Sequence, residues 1–93
     1  MADIFFMPQL KSDINNYAIA QWHKEEGAPI KAGDILFTAL VVKANVDVES
    51  NLNGFLLKII VPQGKHADVL EPVAVIGEIG DEIPDLTVYQ YSD

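Results

Sequence analysis

Apolar and polar residues alternate with a period of two along most of this 93-residue chain, the pattern of strands that bury one face. The cleanest case is Val46-Asp47-Val48-Glu49, with valine inward and acid outward. β-Branched and aromatic residues fill such runs, and Gly, Pro and Asp punctuate them. The pattern predicts strands over Ile4–Pro8, Tyr17–His23, Ile35–Val42, Asn45–Ser50, Phe55–Val61 and Val73–Ile79. The stretches EEGAPIKAGD (25–34) and PQGKHADVLEP (62–72) read as glycine-containing loops, and no segment sustains a 3.6-residue period. The expected fold class is all-β, a small barrel or sandwich.

A weak internal repeat emerges when the chain is shifted against itself. Ile19, Trp22, Gly27 and Leu36 then fall on Leu56, Ile59, Gly64 and Val73. Ile4 and Phe6 match Val46 and Val48 if the first inter-strand loop is taken as longer. Each half reads strand, turn, strand, glycine loop, strand. Neither half can bury its apolar face alone, so the expectation is two equivalent sheets related by a pseudo-two-fold axis. Under that symmetry Lys43 corresponds to Gly80, and the two lie at opposite extremes.

Size and composition narrow the function. At this length there is one domain and no room for a deep cleft between subdomains. The net charge is −8 with six lysines and no arginine, which argues against nucleic acid as a partner, since phosphate contacts need clustered cations. Without cysteine there is no disulfide, thiolate metal site or thiol nucleophile. The opening MADIFFMPQL has no basic n-region or cleavage site and reads as a first strand. No apolar run is long enough for a membrane-spanning helix. Residues 1–80 are expected to form the domain, and the acidic stretch 81–93 a C-terminal tail or the start of a linker.

Few residues carry candidate chemistry. His23 and His66 stand in separate segments with no ligand at metal-binding spacing. Glu25–Glu26 reads as a solvated loop edge, and no nucleophile–base set stands out. Trp22 and Phe37 read as core. Asp34, Asp47 and Glu49 are acids expected near the working end of the molecule, where they either solubilise it or meet a basic rim on a partner. That end is the predicted strand–turn–strand TALVVKANVD (38–47), with Lys43 at its tip.

The order of these signals resembles the biotinyl/lipoyl attachment domain family, and most of all the lipoyl domains of 2-oxo acid dehydrogenase complex acyltransferases. The matching features are Met7–Pro8, Trp22, Glu26–Gly27, Gly33–Asp34–Ile35–Leu36, Lys43–Ala44, Glu49, Gly54 and Val61–Gly64. The resemblance implies a flattened barrel of two four-stranded antiparallel sheets, and a lipoyl group carried covalently on Lys43, with Val42 and Ala44 flanking it in the turn. It implies a swinging-arm carrier with no active site of its own, passing acyl groups and electrons between the active sites of such a complex. The implied partners are a thiamine-diphosphate-dependent 2-oxo acid dehydrogenase, an acyltransferase catalytic domain, dihydrolipoamide dehydrogenase and a lipoate ligase. The implied location is cytoplasmic, or the mitochondrial matrix if the domain comes from a eukaryotic precursor. One departure stands out: acyltransferase lipoyl domains usually read Glu-Thr-Asp-Lys-Ala at the turn, and this chain reads Leu40–Val41–Val42–Lys43–Ala44. Two alternatives therefore stay open: a biotin carboxyl carrier domain, and an unmodified lipoyl-like assembly module. An exposed Val41–Val42 pair beside the lysine would offer a partner an apolar contact.

Overall fold

The computed structural model describes residues 2–86. Eight strands follow one another: β1 (Asp3–Phe6), β2 (Asn16–Trp22), β3 (Pro29–Ile30), β4 (Ile35–Val41), β5 (Ala44–Glu49), β6 (Gly54–Ile59), β7 (His66–Asp68) and β8 (Pro72–Gly77). They form two four-stranded antiparallel sheets, ordered β1-β8-β6-β3 and β5-β4-β2-β7. The inward positions pack into one core, in which Phe37 meets Phe5 edge-on at 6.3 Å and Trp22 at 4.9 Å. Trp22 is only partly buried, and its Nε1 donates to the Val61 carbonyl at 2.9 Å.

The six predicted strands are all present. β3 and β7, by contrast, lie inside the stretches read as loops, and His66 opens β7 instead of sitting in a turn. Each contributes a single buried residue, Ile30 or Ala67. A two- or three-residue strand between turns is too short to show alternation.

The pseudo-two-fold axis carries β1, β2, β3 and β4 onto β5, β6, β7 and β8, so one sheet maps onto the other in order. Even the irregularities correspond: β2 departs from register at Ile19/Gln21, and β6 at Leu56/Lys58. The glycine loops do the crossing. Gly27, leaving β2, donates its amide to the Leu56 carbonyl of β6 at 2.7 Å, and Gly64, leaving β6, donates to the Ile19 carbonyl of β2 at 2.8 Å. Leu56 and Ile19 answer by donating to the Ala28 and Lys65 carbonyls, both at 2.9 Å. Positive φ angles of 95° and 88° at the two glycines aim the amides this way, and a side chain would resist that backbone. Each half thus grips the second strand of the other.

One correspondence differs from the sequence reading. Met7 donates to the Glu71 carbonyl as Ser50 does to that of Asp34, so Met7 matches Ser50. Phe5 then matches Val48, both buried, and Phe6 points outward. The doublet Phe5–Phe6 satisfies the alternation in either register, and only the ladder with β8 decides it.

Tyr17 fixes the connection from β1 to β2. Its buried hydroxyl accepts from the amides of Leu10 (3.1 Å) and Lys11 (2.9 Å) and lies against the Lys11 and Ile14 carbonyls. Tyr17→Phe strands two amides at the core edge, and urea titration should show a loss of about 2 kcal/mol. Beyond β8, the Glu78 amide donates to Asp81 Oδ2 at 2.9 Å and holds that carboxyl below its ordinary range. Of the stretch read as a tail, residues 81–86 lie in no strand, and residues 87–93 lie outside the described residues.

Candidate functional site

From Phe37 onward, strands β4 and β5 run as an unbroken ladder to the tip of their hairpin, pairing Thr38 with Asp47, Ala39 with Val46, Leu40 with Asn45 and Val41 with Ala44. Only Val42 and Lys43 remain for the turn. Val42 has a φ of 57°, while Lys43 stays in the ordinary negative range. Positive φ at the first central residue alone is the signature of a II′ turn, whose backbone twist suits a two-residue hairpin. Below the tip, Phe37, Ala39 and Val41 point into the core. The tip is therefore anchored one residue before it begins.

Lys43 is exposed, and its ammonium pairs with none of the described residues. Ala44 is also exposed, and Val42 is 63% exposed. The expected apolar pair is corrected in one member: Val41 is only 6% exposed, and it is Leu40, 44% exposed, that faces solvent with Val42. Strand alternation explains this, since residues 39 and 41 share the inner face and residue 40 faces out.

The acids are distributed differently from the sequence expectation. Asp34 precedes β4 and Glu49 pairs with Ile35, so both lie at the far end of the hairpin, about 20 Å from the tip at ~3.4 Å per residue. Asp34 Oδ2 accepts from the Lys31 amide at 2.9 Å and lies 3.7 Å from Lys24 Nζ. It is a turn cap, not part of the working end. Asp47 sits midway along the hairpin. There Thr38 Oγ1 donates to Asp47 Oδ1 at 2.8 Å, so its single proton is committed. His23 Nε2, 2.6 Å from Thr38 Oγ1, must then be the donor of the second bond. This chain of polar groups ties β5 and the end of β2 to β4, and sequence reading missed it because its members come from three segments.

His66 Nδ1 lies 3.0 Å from Asn16 Oδ1 on β2, and because Ala18 pairs with both His66 and Leu40 this pair stands level with the tip end of the hairpin, two strands across the sheet from β4. Glu26 Oε2 accepts from the Ile59 amide at 2.8 Å, so one of the two loop-edge acids is structural. No cluster of potential metal ligands occurs among the described residues. The tip itself offers a primary amine on a rigid stem, and no described residue pairs with it. Its accessibility and lack of an internal partner suit covalent attachment of a carried group through an amide, and the short, packed turn leaves the flexibility to whatever is attached.

Comparison with known proteins reaches the same region of sequence space. Residues 4–76 match the family model described as "Biotin-requiring enzyme". The chain is 40% identical over 88 residues to the mitochondrial pyruvate dehydrogenase complex protein X component of Chaetomium thermophilum, covering 94% of this chain and 20% of that protein. It is 39% identical over 72 residues to the mitochondrial dihydrolipoyllysine-residue acetyltransferase component of the pyruvate dehydrogenase complex of Dictyostelium discoideum, covering 75% of this chain and 11% of that protein. It thus spans a fifth or less of the length of these relatives. Among solved structures, the lipoyl domain of the 2-oxoglutarate dehydrogenase complex of Azotobacter vinelandii shares the fold, with a TM-score of 0.65 at 22% identity, over 84% of this chain and 100% of that one. With the family model spanning most of its length and its two sheets folded as in a lipoyl domain, the chain belongs to the biotinyl/lipoyl attachment family.

Proposed function

We propose that this chain is a lipoyl carrier domain, formed by residues 1–80 with 81–93 as a tail or linker start, and that Lys43 is its attachment site. The observation that carries the reading is the exposed, unpaired Lys43 at the tip of the two-residue turn. Attachment joins Nζ to the carboxyl carbon of lipoate. When bound, the dithiolane supplies an acceptor for an acyl group and for two electrons. Everything the chain contributes is mechanical: the β4–β5 ladder holds the stem, Val41 fixes it to the core, and Lys43 gives the arm its origin. Tethering raises the effective concentration of the carried intermediate at successive active sites.

The curated relatives are components of pyruvate dehydrogenase complexes, and lipoate on a lysine is the cargo that the name dihydrolipoyllysine-residue acetyltransferase describes. On that basis the chain serves a 2-oxo acid dehydrogenase complex. Its partners there are the thiamine-diphosphate-dependent dehydrogenase, the acyltransferase catalytic domain and dihydrolipoamide dehydrogenase. A lipoate ligase loads it. The mitochondrial relatives favour the matrix as its location.

Intact mass after co-expression with a lipoate ligase and a biotin ligase tests the reading. A single lipoyl adduct is expected. A biotin adduct would reassign the domain to the carboxylases, and no adduct from either would leave an assembly module.

A further inference from the structure

The turn that ends β8 decides where the chain goes next. The Asp81 amide donates to the Glu78 carbonyl at 3.0 Å, the Glu78 amide donates to Asp81 Oδ2 at 2.9 Å, and Gly80 takes a φ of 95°. A turn closed in this way reverses the chain. Its dyad counterpart at Val42–Lys43 leads straight into β5, which returns beside β4. Residues 81–86 correspond to β5 in sequence, but the position beside β8 is taken by β1, from Asp3 to Phe6. The returning chain is diverted past the start of β1, where Ala2 and residues 81–85 line one hollow. β1 runs antiparallel to β8, so a chain reversed after β8 runs in β1's own direction, from Ala2 toward Phe6. Along the way Pro84 and Leu86 are half-buried while Ile83 and Asp85 are exposed, the alternation of an extended segment lying against the body.

At the other end of β1, Ile4, Phe6, Pro8 and Leu52 line a groove with Glu49 and Asn51. Met7 matches Ser50 under the dyad, so Phe6 matches Glu49, and a groove holding both lies on the pseudo-two-fold axis, at the waist of the molecule. β1 is the outermost strand of its sheet among the described residues. We propose that residues 86–91 run beside β1 and fill this groove, closing the sandwich along that side. The two segments advance together at ~3.3 Å per residue. With Asp85 beside Ala2, Val88 then comes level with Phe5, Tyr89 with Phe6 and Tyr91 with Pro8. The facing agrees. Continued alternation turns Val88 inward as Phe5 is, and Tyr89 outward as Phe6 is, which pairs two aromatic rings across neighbouring strands. The stretch from Leu86 to Tyr91 has no acid, glycine or proline, unlike the DEIPD before it, and its composition is that of a strand and not of a solvated linker. The turn delivers this segment to the groove already tethered, at an effective concentration of about millimolar order, which places it ahead of a second copy. The chain then leaves the body at its waist and not at the Gly80 extreme.

The test is solution NMR of the whole 93-residue chain, wild type beside Phe6→Ser and the double variant Tyr89→Ser/Tyr91→Ser. In wild type, the ring protons of Tyr89 or Tyr91 should show nuclear Overhauser contacts to the Phe6 ring or the Leu52 methyls. Amide exchange at Val88, Tyr89 and Gln90 should be slower than in a free peptide of the same sequence by about ten-fold or more, the mark of a local opening step. The double variant should lose both signs and shift the Phe6 and Leu52 resonances. Phe6→Ser should return the three amides to the free-peptide rate. If Phe6→Ser folds poorly, the double variant, which alters no residue of either sheet, decides the matter. Free-peptide exchange in wild type without those contacts overturns the proposal, and so do unshifted Phe6 and Leu52 resonances in the double variant. Contacts that appear between labelled and unlabelled chains, or fade on dilution, put a second copy in the groove and overturn it too. None of these readouts depends on what Lys43 carries, so their failure leaves the carrier reading standing.

Discussion

Lys43→Ala should abolish the adduct entirely while leaving the domain folded. The side chain pairs with none of the described residues and lies outside the core, so its loss removes no internal contact. Surface replacements of this kind usually change stability by less than ~0.5 kcal/mol. Intact mass of the co-expressed variant should show the bare chain, with its urea midpoint within error of wild type. An adduct that persists in the variant would mean that another of the six lysines is the acceptor, and would overturn the assignment. Lys11 and Lys24 already sit within 3.3 and 3.7 Å of Asp13 and Asp34, and neither stands on a two-residue turn. The expected effect is all or none because a carrier without its arm origin has nothing to carry.

The largest effect on stability should come from Gly54→Ala. Gly54 begins β6 with a φ of 142°, and a Cβ placed there would lie 2.6 Å from the carbonyl oxygen of Gly77 and 3.2 Å from its Cα. Both are backbone atoms of β8, which is flanked on both sides in its sheet, so no side chain can swing away to make room. Strain at the backbone and a clash between paired strands add, and a loss of about 3–5 kcal/mol is expected. For a domain of this size that is a large share of total stability. Gly64→Ala makes the informative comparison. Its φ of 88° is equally unfriendly to a side chain, but nothing lies within 4 Å of the added carbon, so only the backbone term of about 1–2 kcal/mol should appear. Equal losses in paired urea titrations would show that close approach of the backbones is not what Gly54 secures.

Much of this was legible from the chain, and the places where it was not share a cause. Alternation found the six longer strands because each offers several positions at which the period can be seen. β3 and β7 escaped because two or three residues carry no period, although they complete both sheets. The repeat between halves was visible in Gly27 and Gly64, yet the Phe5–Phe6 doublet concealed the register of β1, which is set by pairing with β8 and not by local sequence. At the hairpin, the strand–turn–strand pattern of residues 38–47 located the turn and its tip. Which of Leu40, Val41 and Val42 turns inward depended on where the ladder ends, and so did the displacement of Asp34 and Glu49 to the opposite end. Tertiary bonds such as His23–Thr38–Asp47 join separate segments and leave no local signature.

The reciprocal grip of the two glycine loops also bears on how quickly the molecule assembles. Gly27 cannot find Leu56, nor Gly64 find Ile19, until distant parts of the chain have met, so the cost of loop closure comes before the bonds that repay it. Folding should be slow for so small a domain, in milliseconds to seconds, and should proceed without a stable half. The reverse holds as well: with both halves interlocked, opening one releases the other, and native-state exchange of the Gly27 and Gly64 amides should report the same global event. On the proposed reading, the hairpin tip that carries the arm is thus built on a body whose two halves should open together.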